Sequence, residues 1–291
     1  MPPLWRRWRR GYYHLVSLLL LGLARVAPPA AGRAACRGLA RAALRLRPAE
    51  AARARANLAA AFPELDDAAR GGLLAAAAAA LGANLWDALT VPRAAARGFP
   101  EVADDGAIAA ARGLLAEGRG LLILTGHIGC WELLGAYLAA NLGGLTVVTG
   151  TIHNPPVDRL VQRRRERLGL TPVAREGDLR PLLRALRRGG AAAVLLDQNT
   201  RVENRDVPFF GRPAPTPVGF ARLALRTGAP VLPVAIGRSG KGHGVMHLPP
   251  LRPAGGREPD AIYSFLQDCN GALEELIRRR PAEWVWFHKR W

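Results

Sequence analysis

Leu121-Leu-Ile-Leu-Thr125, running into Gly126-His127-Ile128-Gly129-Cys130-Trp131-Glu132 and then Leu133-Leu134, is the stretch on which the fold turns. A short apolar run, a turn holding two glycines and a leucine-rich helical pattern make a strand, a turn and a helix. Working outward, Leu145–Thr149, Ala191–Leu196 and Val231–Ile236 read as further strands, and residues near 130–140, 157–168, 179–188 and 218–227 as helices. This alternation predicts an α/β fold with a mixed, largely parallel sheet flanked by helices. Asp178 suits the N-cap of the third helix and Gly189-Gly190 its stop. Upstream, residues to about 98 read as helices rich in alanine and leucine, broken at Pro28-Pro29, Pro48, Pro63 and Pro92. Asp66-Asp67 starts a helix over Ala68–Leu89, and Pro92 is expected to stop it. The expected division is a membrane-associating helix over 1–27, a helical annex over 28–98 and an α/β domain over 99–291.

The chain has 291 residues, 49% of them hydrophobic, enough to bury a sizeable core. Its formal charge is +18, and only Lys241 and Lys289 are lysines. Such a charge favours anionic partners: phospholipid surfaces, phosphorylated glycolipids, acidic carrier proteins or nucleic acid. The arginines are spread along every helix and no recognition motif or stacking set appears, which argues against nucleic acid. A basic membrane- or nucleic-acid-binding protein without catalysis stands as the non-enzyme alternative. Cys36, Cys130 and Cys269 lie far apart, so neither a disulfide framework nor a zinc ribbon is expected, and a reducing, cytoplasm-facing domain fits best. His153, His243 and His247 lack metal-ligand spacing, so no metal site is expected from them. At the amino terminus, Arg6, Arg7, Arg9 and Arg10 precede Tyr12, Tyr13 and the run Leu15–Ala24. That run is shorter than the roughly 20 residues of a span. It spans only if Arg25 snorkels, and an interfacial or re-entrant helix fits a cytoplasmic domain better. A signal peptide cut near Ala30-Ala31-Gly32 and an ordinary buried helix are the competing readings.

His127 stands at a strand's carboxyl end, where open α/β sheets place their ligands. In one ideal helix His127 and Glu132 would point about 140° apart. The histidine is therefore expected in the turn, its ring folding back over the first helical turn to meet the Glu132 carboxylate. A neutral imidazole there removes a hydroxyl proton while the carboxylate fixes its tautomer. The helix start adds free N–H groups near a developing oxyanion, and Gly126 and Gly129 clear space for substrate against the backbone. Cys130 is a competing thiol nucleophile, without an elbow motif to support it. For an isolated H-x4-E, a histidine capping a helix is the competing reading.

Further stretches bear on this. Asn57-Leu58 with Phe62-Pro63-Glu64, Asn154-Pro155-Pro156 leading into a helix with Arg159, Arg163, Arg164 and Arg165, and Asp197-Gln198 follow in order. Pro208-Phe209-Phe210-Gly211 and Trp286-Phe287-His288-Lys289-Arg290 complete the set. With Gly126 to Glu132, these resemble the lipid A biosynthesis late acyltransferases, the lauroyl and myristoyl transferase family with its H-x4-E motif. The resemblance runs over nearly the whole chain. It implies a glycerol-phosphate-acyltransferase-like fold, an acyl carrier protein thioester as donor and a lipid A precursor as acceptor, at the cytoplasmic face of a bacterial inner membrane, with no metal or cofactor. It aligns Arg164 with a functional arginine. Arg164 then pairs with acceptor phosphate or with Glu132, or is one solvated arginine among many. Asp197 orients Arg164 or the acceptor, or caps the next loop, with Gln198 beside it. Trp131, Phe209 and Phe210 are acyl-channel candidates, the last two on a stiff Pro208–Pro217 loop, with core packing as their alternative. Trp284, Trp286 and Trp291 beside His288, Lys289 and Arg290 read as an aromatic, basic membrane rim or as an edge strand. An acceptor of another kind, a lysophospholipid or other glycolipid, is the second enzymatic reading. Ala174–Asn199 lacks the F-P-E-G-T-R segment of the glycerophospholipid enzymes, which weighs against the first of these.

Overall fold

The computed structural model describes residues 4–178, 180–256 and 258–291, with the backbone alone for 4–11. The side chains of Arg6, Arg7, Arg9 and Arg10, and Leu179 at the expected start of the third helix, lie outside the described residues.

Four helices come first: α1 (Leu4–Val26), α2 (Pro29–Leu46), α3 (Pro48–Ala61) and α4 (Asp67–Ala95). Pro29 and Pro48 occupy first helical positions, where a missing N–H costs nothing. Asp66 caps α4, its carboxylate accepting the Ala69 N–H at 2.7 Å. Pro92 does not stop this helix, contrary to expectation, but lies inside it. Proline there removes the donor to the Ala88 carbonyl. Arg164 makes good the loss, donating Nη2–H to the carbonyls of Ala88 at 2.8 Å and Leu89 at 3.0 Å.

The remaining elements are β1 (Val102–Asp104), α5 (Ala107–Leu115), β2 (Leu121–Thr125), α6 (Trp131–Leu142), β3 (Leu145–Thr149), α7 (Pro155–Arg167) and β4 (Leu170–Ala174). After them come α8 (Arg180–Arg187), β5 (Ala191–Leu195), β6 (Asn204–Phe209), β7 (Arg212–Pro217), α9 (Val218–Thr227), β8 (Val231–Ser239), β9 (Gly242–His247) and α10 (Pro259–Arg279). Seven strands form one sheet in the order β1-β9-β8-β2-β5-β3-β4. All neighbours are parallel except β8 and β9, which form a hairpin. The expected α/β class and the four named strands stand. β4 escaped the sequence reading because Pro172 interrupts its apolar run, and it lies at the sheet edge, where a strand tolerates proline. The expected loop over Pro208–Pro217 is a β6–β7 hairpin turning through Phe210 and Gly211, both at positive φ.

Successive residues of β2 point to opposite faces: Leu122 and Leu124 join one core, Leu121 and Ile123 the other. The first core carries α8, α9 and α10, and the second carries α5 and α6. On α4, Asp87 gathers Arg238 of β8, Arg33 of α2 at 3.3 Å and His243 of β9 at 3.2 Å, tying the helical segment to the sheet. Burial pushes the Asp87 carboxyl up, but His243, Arg238 and Arg33 outweigh it and hold it below its usual range. On α1, Leu15, Leu18, Leu19, Leu20 and Leu23 are exposed while Ala24 is buried. Its apolar part, Tyr12–Val26, is too short to count as a span; Asp67–Ala95 is long and apolar enough, but is mostly buried.

Candidate active site

His127 follows β2 and Asp197 follows β5, its neighbour in the sheet. Thr125 pairs with Leu195 in register, so two residues beyond the paired ends His127 and Asp197 meet at one level. His127 Nδ1 and Asp197 Oδ1 are 2.8 Å apart, and Asp197 Oδ2 accepts the backbone N–H of His127 at 2.6 Å. Asp197 is fully buried, whereas the His127 side chain keeps 18% of its surface exposed. Burial drives the carboxyl towards its neutral form, but the charge and hydrogen bonds of His127, with His288, prevail and hold it far below the usual carboxylate range. An ionised Asp197 requires Nδ1 of His127 to carry the hydrogen, which leaves Nε2 as the basic nitrogen.

The expected pairing of His127 with Glu132 is therefore corrected. Glu132 lies in the first turn of α6 and accepts both Nε–H, at 3.2 Å, and Nη2–H of Arg165 from α7. The guanidinium matches the carboxylate as a two-pronged fork. The pairing of Arg164 with Glu132 is corrected in the same way: Arg164 is turned to α4, and its neighbour one residue on faces the site. Burial lowers the Arg164 guanidinium below its ordinary value.

The glycines serve the protein's own packing. A Cβ on Gly126 would stand 2.9 Å from Asp197 Oδ2, and one on Gly129, at φ +60°, would stand 2.0 Å from the Ile236 carbonyl oxygen. Gly129→Ala is expected to cost more than the about 1–3 kcal/mol of a strained left-handed residue, because β8 must also shift; a thermal melt checks this. The turn's amides are likewise in use: Ile128 N–H donates to Gly126 O at 2.8 Å and Gly129 N–H to Glu283 O at 2.9 Å. Cys130 is buried, and burial with the nearby Asp87 pushes its thiol far up, away from a thiolate nucleophile.

A cavity of about 800 Å³ opens beside His127. Trp131, Val194, Leu196, Leu182 and Leu183 of α8 and Val218, Phe220 and Leu223 of α9 give it apolar walls, Gln198 joins them, and Arg165, Arg175, Arg180, Arg222 and Arg226 also line it. Trp131 sets its ring edge-on to His127, with centroids 4.9 Å apart. Phe209 and Phe210 do not line this cavity; they are core residues packed on Trp284, Trp286 and Phe62. The expected rim or edge strand at 284–291 is also corrected. Trp284, Trp286 and Arg290 are fully buried, and the segment makes a single bridge to Ile128. Arg290 lies over Phe209 and donates to Pro215 O at 2.5 Å, while Asn57 Nδ2–H donates to the carbonyls of Trp286 at 2.8 Å and His288 at 3.1 Å. Trp284 Nε1–H donates to Asp197 Oδ2 at 2.7 Å, a contact sequence reasoning missed. Among the described residues, no group of three or more His, Cys, Asp or Glu is placed to hold a metal ion.

A family model described as bacterial lipid A biosynthesis acyltransferase matches residues 5–291. Phosphatidylinositol mannoside acyltransferase of Mycobacterium tuberculosis is 29% identical over 181 residues, 61% of this chain and 56% of the relative. Its namesake in Mycolicibacterium smegmatis is 29% identical over 181 residues, 61% of this chain and 58% of the relative. Lipid A biosynthesis acyltransferase of Haemophilus influenzae is 26% identical over 172 residues, 59% of this chain and 53% of the relative. The chain thus spans little more than half the length of these relatives.

Proposed function

The chain belongs to the bacterial lipid A biosynthesis acyltransferase family, and from that premise we propose that it moves a fatty acyl group from an acyl carrier protein thioester onto a hydroxyl of a lipid A precursor. The observation that carries this reading is a histidine whose Nδ1 is fixed on a buried carboxylate at the wall of a large apolar cavity lined also by arginines. Nε2 of His127 takes the proton of the acceptor hydroxyl as its oxygen attacks the thioester carbonyl. The tetrahedral intermediate collapses to the ester, and the imidazolium returns the proton to the departing thiolate. Asp197 stabilises the imidazolium between these steps. Glu132 acts at one remove, holding the Arg165 guanidinium against the cavity, where it faces acceptor phosphate or the developing oxyanion. The cavity volume suits a lipid chain, and Arg226 suits a phosphorylated acceptor, while Arg175, Arg180 and Arg222 are each paired with a carboxylate, of Glu176, Asp178 and Glu203. The exposed leucines of α1 suit the cytoplasmic surface of the inner membrane. Residues 1–27 would then be the membrane-associating helix, 28–98 the helical annex and 99–291 the acyltransferase domain.

The mycobacterial relatives favour a second acceptor class, a mannosylated phosphoinositide or similar glycolipid, with the same chemistry. Purified protein incubated with acyl carrier protein thioesters and a panel of lipid acceptors, with products read by mass spectrometry, tests both. One new ester is expected, its acceptor deciding between the classes; no ester with any pair overturns acyl transfer. In the same assay Arg165→Ala is expected to lower kcat/KM by roughly 10–100-fold, equivalent to about 1.4–2.8 kcal/mol. Arg164→Ala should instead lower the melting temperature and leave kcat/KM within about threefold, the signature of a residue that completes α4.

A further inference from the structure

The carboxylate of Asp197 is fully buried, and His127 gives one hydrogen-bond donor to Oδ1 and one to Oδ2. The third donor comes from 87 residues away, the indole N–H of Trp284, at 2.7 Å from Oδ2. His288 holds the same residue from another side, its Nε2 lying 3.2 Å from the Asp197 carbonyl oxygen. A carbonyl only accepts, so Nε2 of His288 carries the hydrogen. Burial lowers the pKa of His288, favouring its neutral form beside His127, 6.0 Å between ring centroids. The His288 ring also stands edge-on to the Trp284 indole at 5.1 Å, fixing its plane.

We propose that Trp284, buttressed by His288, is a positioning residue that sets the proton affinity of the His127–Asp197 pair, so that the segment after α10 completes the catalytic apparatus. The role of His127 as base, on which this rests, is the reading given above. An N–H on Oδ2 draws negative charge away from Oδ1, where the imidazolium proton sits. Without it the buried carboxylate holds that proton more strongly. The base is then blocked at a pH where the native pair is free. The other charged groups around the pair are Arg290, whose guanidinium burial lowers to about 10, and the mutually paired Glu132 and Arg165. None of these bonds to the Asp197 carboxylate among the described residues.

The test is the pH profile of kcat/KM for acyl transfer by Trp284→Phe, which keeps an aromatic, though smaller, ring and removes the N–H. The acid limb is expected to move to higher pH by about one unit, a tenfold change in proton affinity, while the rate on the alkaline plateau falls less than about threefold. A uniform fall in rate with an unmoved limb would mean that Trp284 only packs, and overturns the proposal. In case the variant does not fold, the wild-type indole proton of Trp284 is followed by NMR through the same pH range. It should shift with the limb, and an indole signal blind to that titration counts equally against the proposal. His127→Ala separates the two ideas. Full activity there would remove the general-base reading itself, whereas an inactive His127→Ala beside an unmoved Trp284→Phe limb removes only the positioning role.

Discussion

His127→Ala is expected to lower kcat/KM for acyl transfer by about 10²–10⁴-fold, the range that a positioned general base supplies. The loss should fall on kcat, because in the proposed mechanism Nε2 acts on the hydroxyl proton only as the bond to the thioester carbon forms. Folding should survive. The ring is partly exposed to the cavity, and the backbone N–H of residue 127, which alanine keeps, still bonds Asp197 Oδ2. Circular dichroism and a melt within a few degrees of wild type, alongside initial rates, check the expectation. Wild-type turnover would show that proton transfer lies elsewhere.

Asp197→Asn is the more discriminating change, with an expected loss of up to about 10⁴-fold. The argument is one of donors and acceptors. Oδ2 accepts two N–H groups, from His127 and Trp284, so the amide oxygen of asparagine must take that place. Its NH₂ then faces Nδ1 of His127, which has to become the acceptor, and the ring hydrogen moves to Nε2. The imidazole remains in position with its only cavity-facing nitrogen already protonated. Activity should fall nearly as far as in His127→Ala with the melting temperature little changed, and the double variant should be no worse than either alone. Additive losses would show that the two residues work independently.

Much of this was legible from the chain. Val218–Thr227 sits where its periodicity placed it, and His127 stands at the strand end that its apolar run announced. Its partner was not legible, because the adjacency of β2 and β5 skips over β3 and β4 in sequence, and only sheet order reveals it. The five-residue spacing from His127 to Glu132 is conspicuous, whereas the equal overhangs that bring 127 and 197 together emerge only once register is known. Arg164 and Arg165 differ by one residue, about 100° of helix. That angle separates repair of the Pro92 gap from contact with Glu132, and no pattern of arginines on a basic helix distinguishes them. The tryptophans near the carboxyl end suggested a membrane rim because aromatic residues beside cations read that way. Their burial depends on Asn57, Phe62 and the Phe209–Phe210 hairpin, which long-range folding alone assembles.

The helical side of the cavity and the His127–Asp197 pair come from different parts of the molecule. Leu182, Leu183, Phe220 and Leu223 of α8 and α9 shape one side of the space, while His127 after β2 and Trp284 after α10 hold the carboxylate of Asp197, which follows β5. Substitutions along α8 and α9 are therefore able to lengthen or shorten that side of the compartment one side chain at a time while leaving the hydrogen bonds of His127, Asp197 and Trp284 in place.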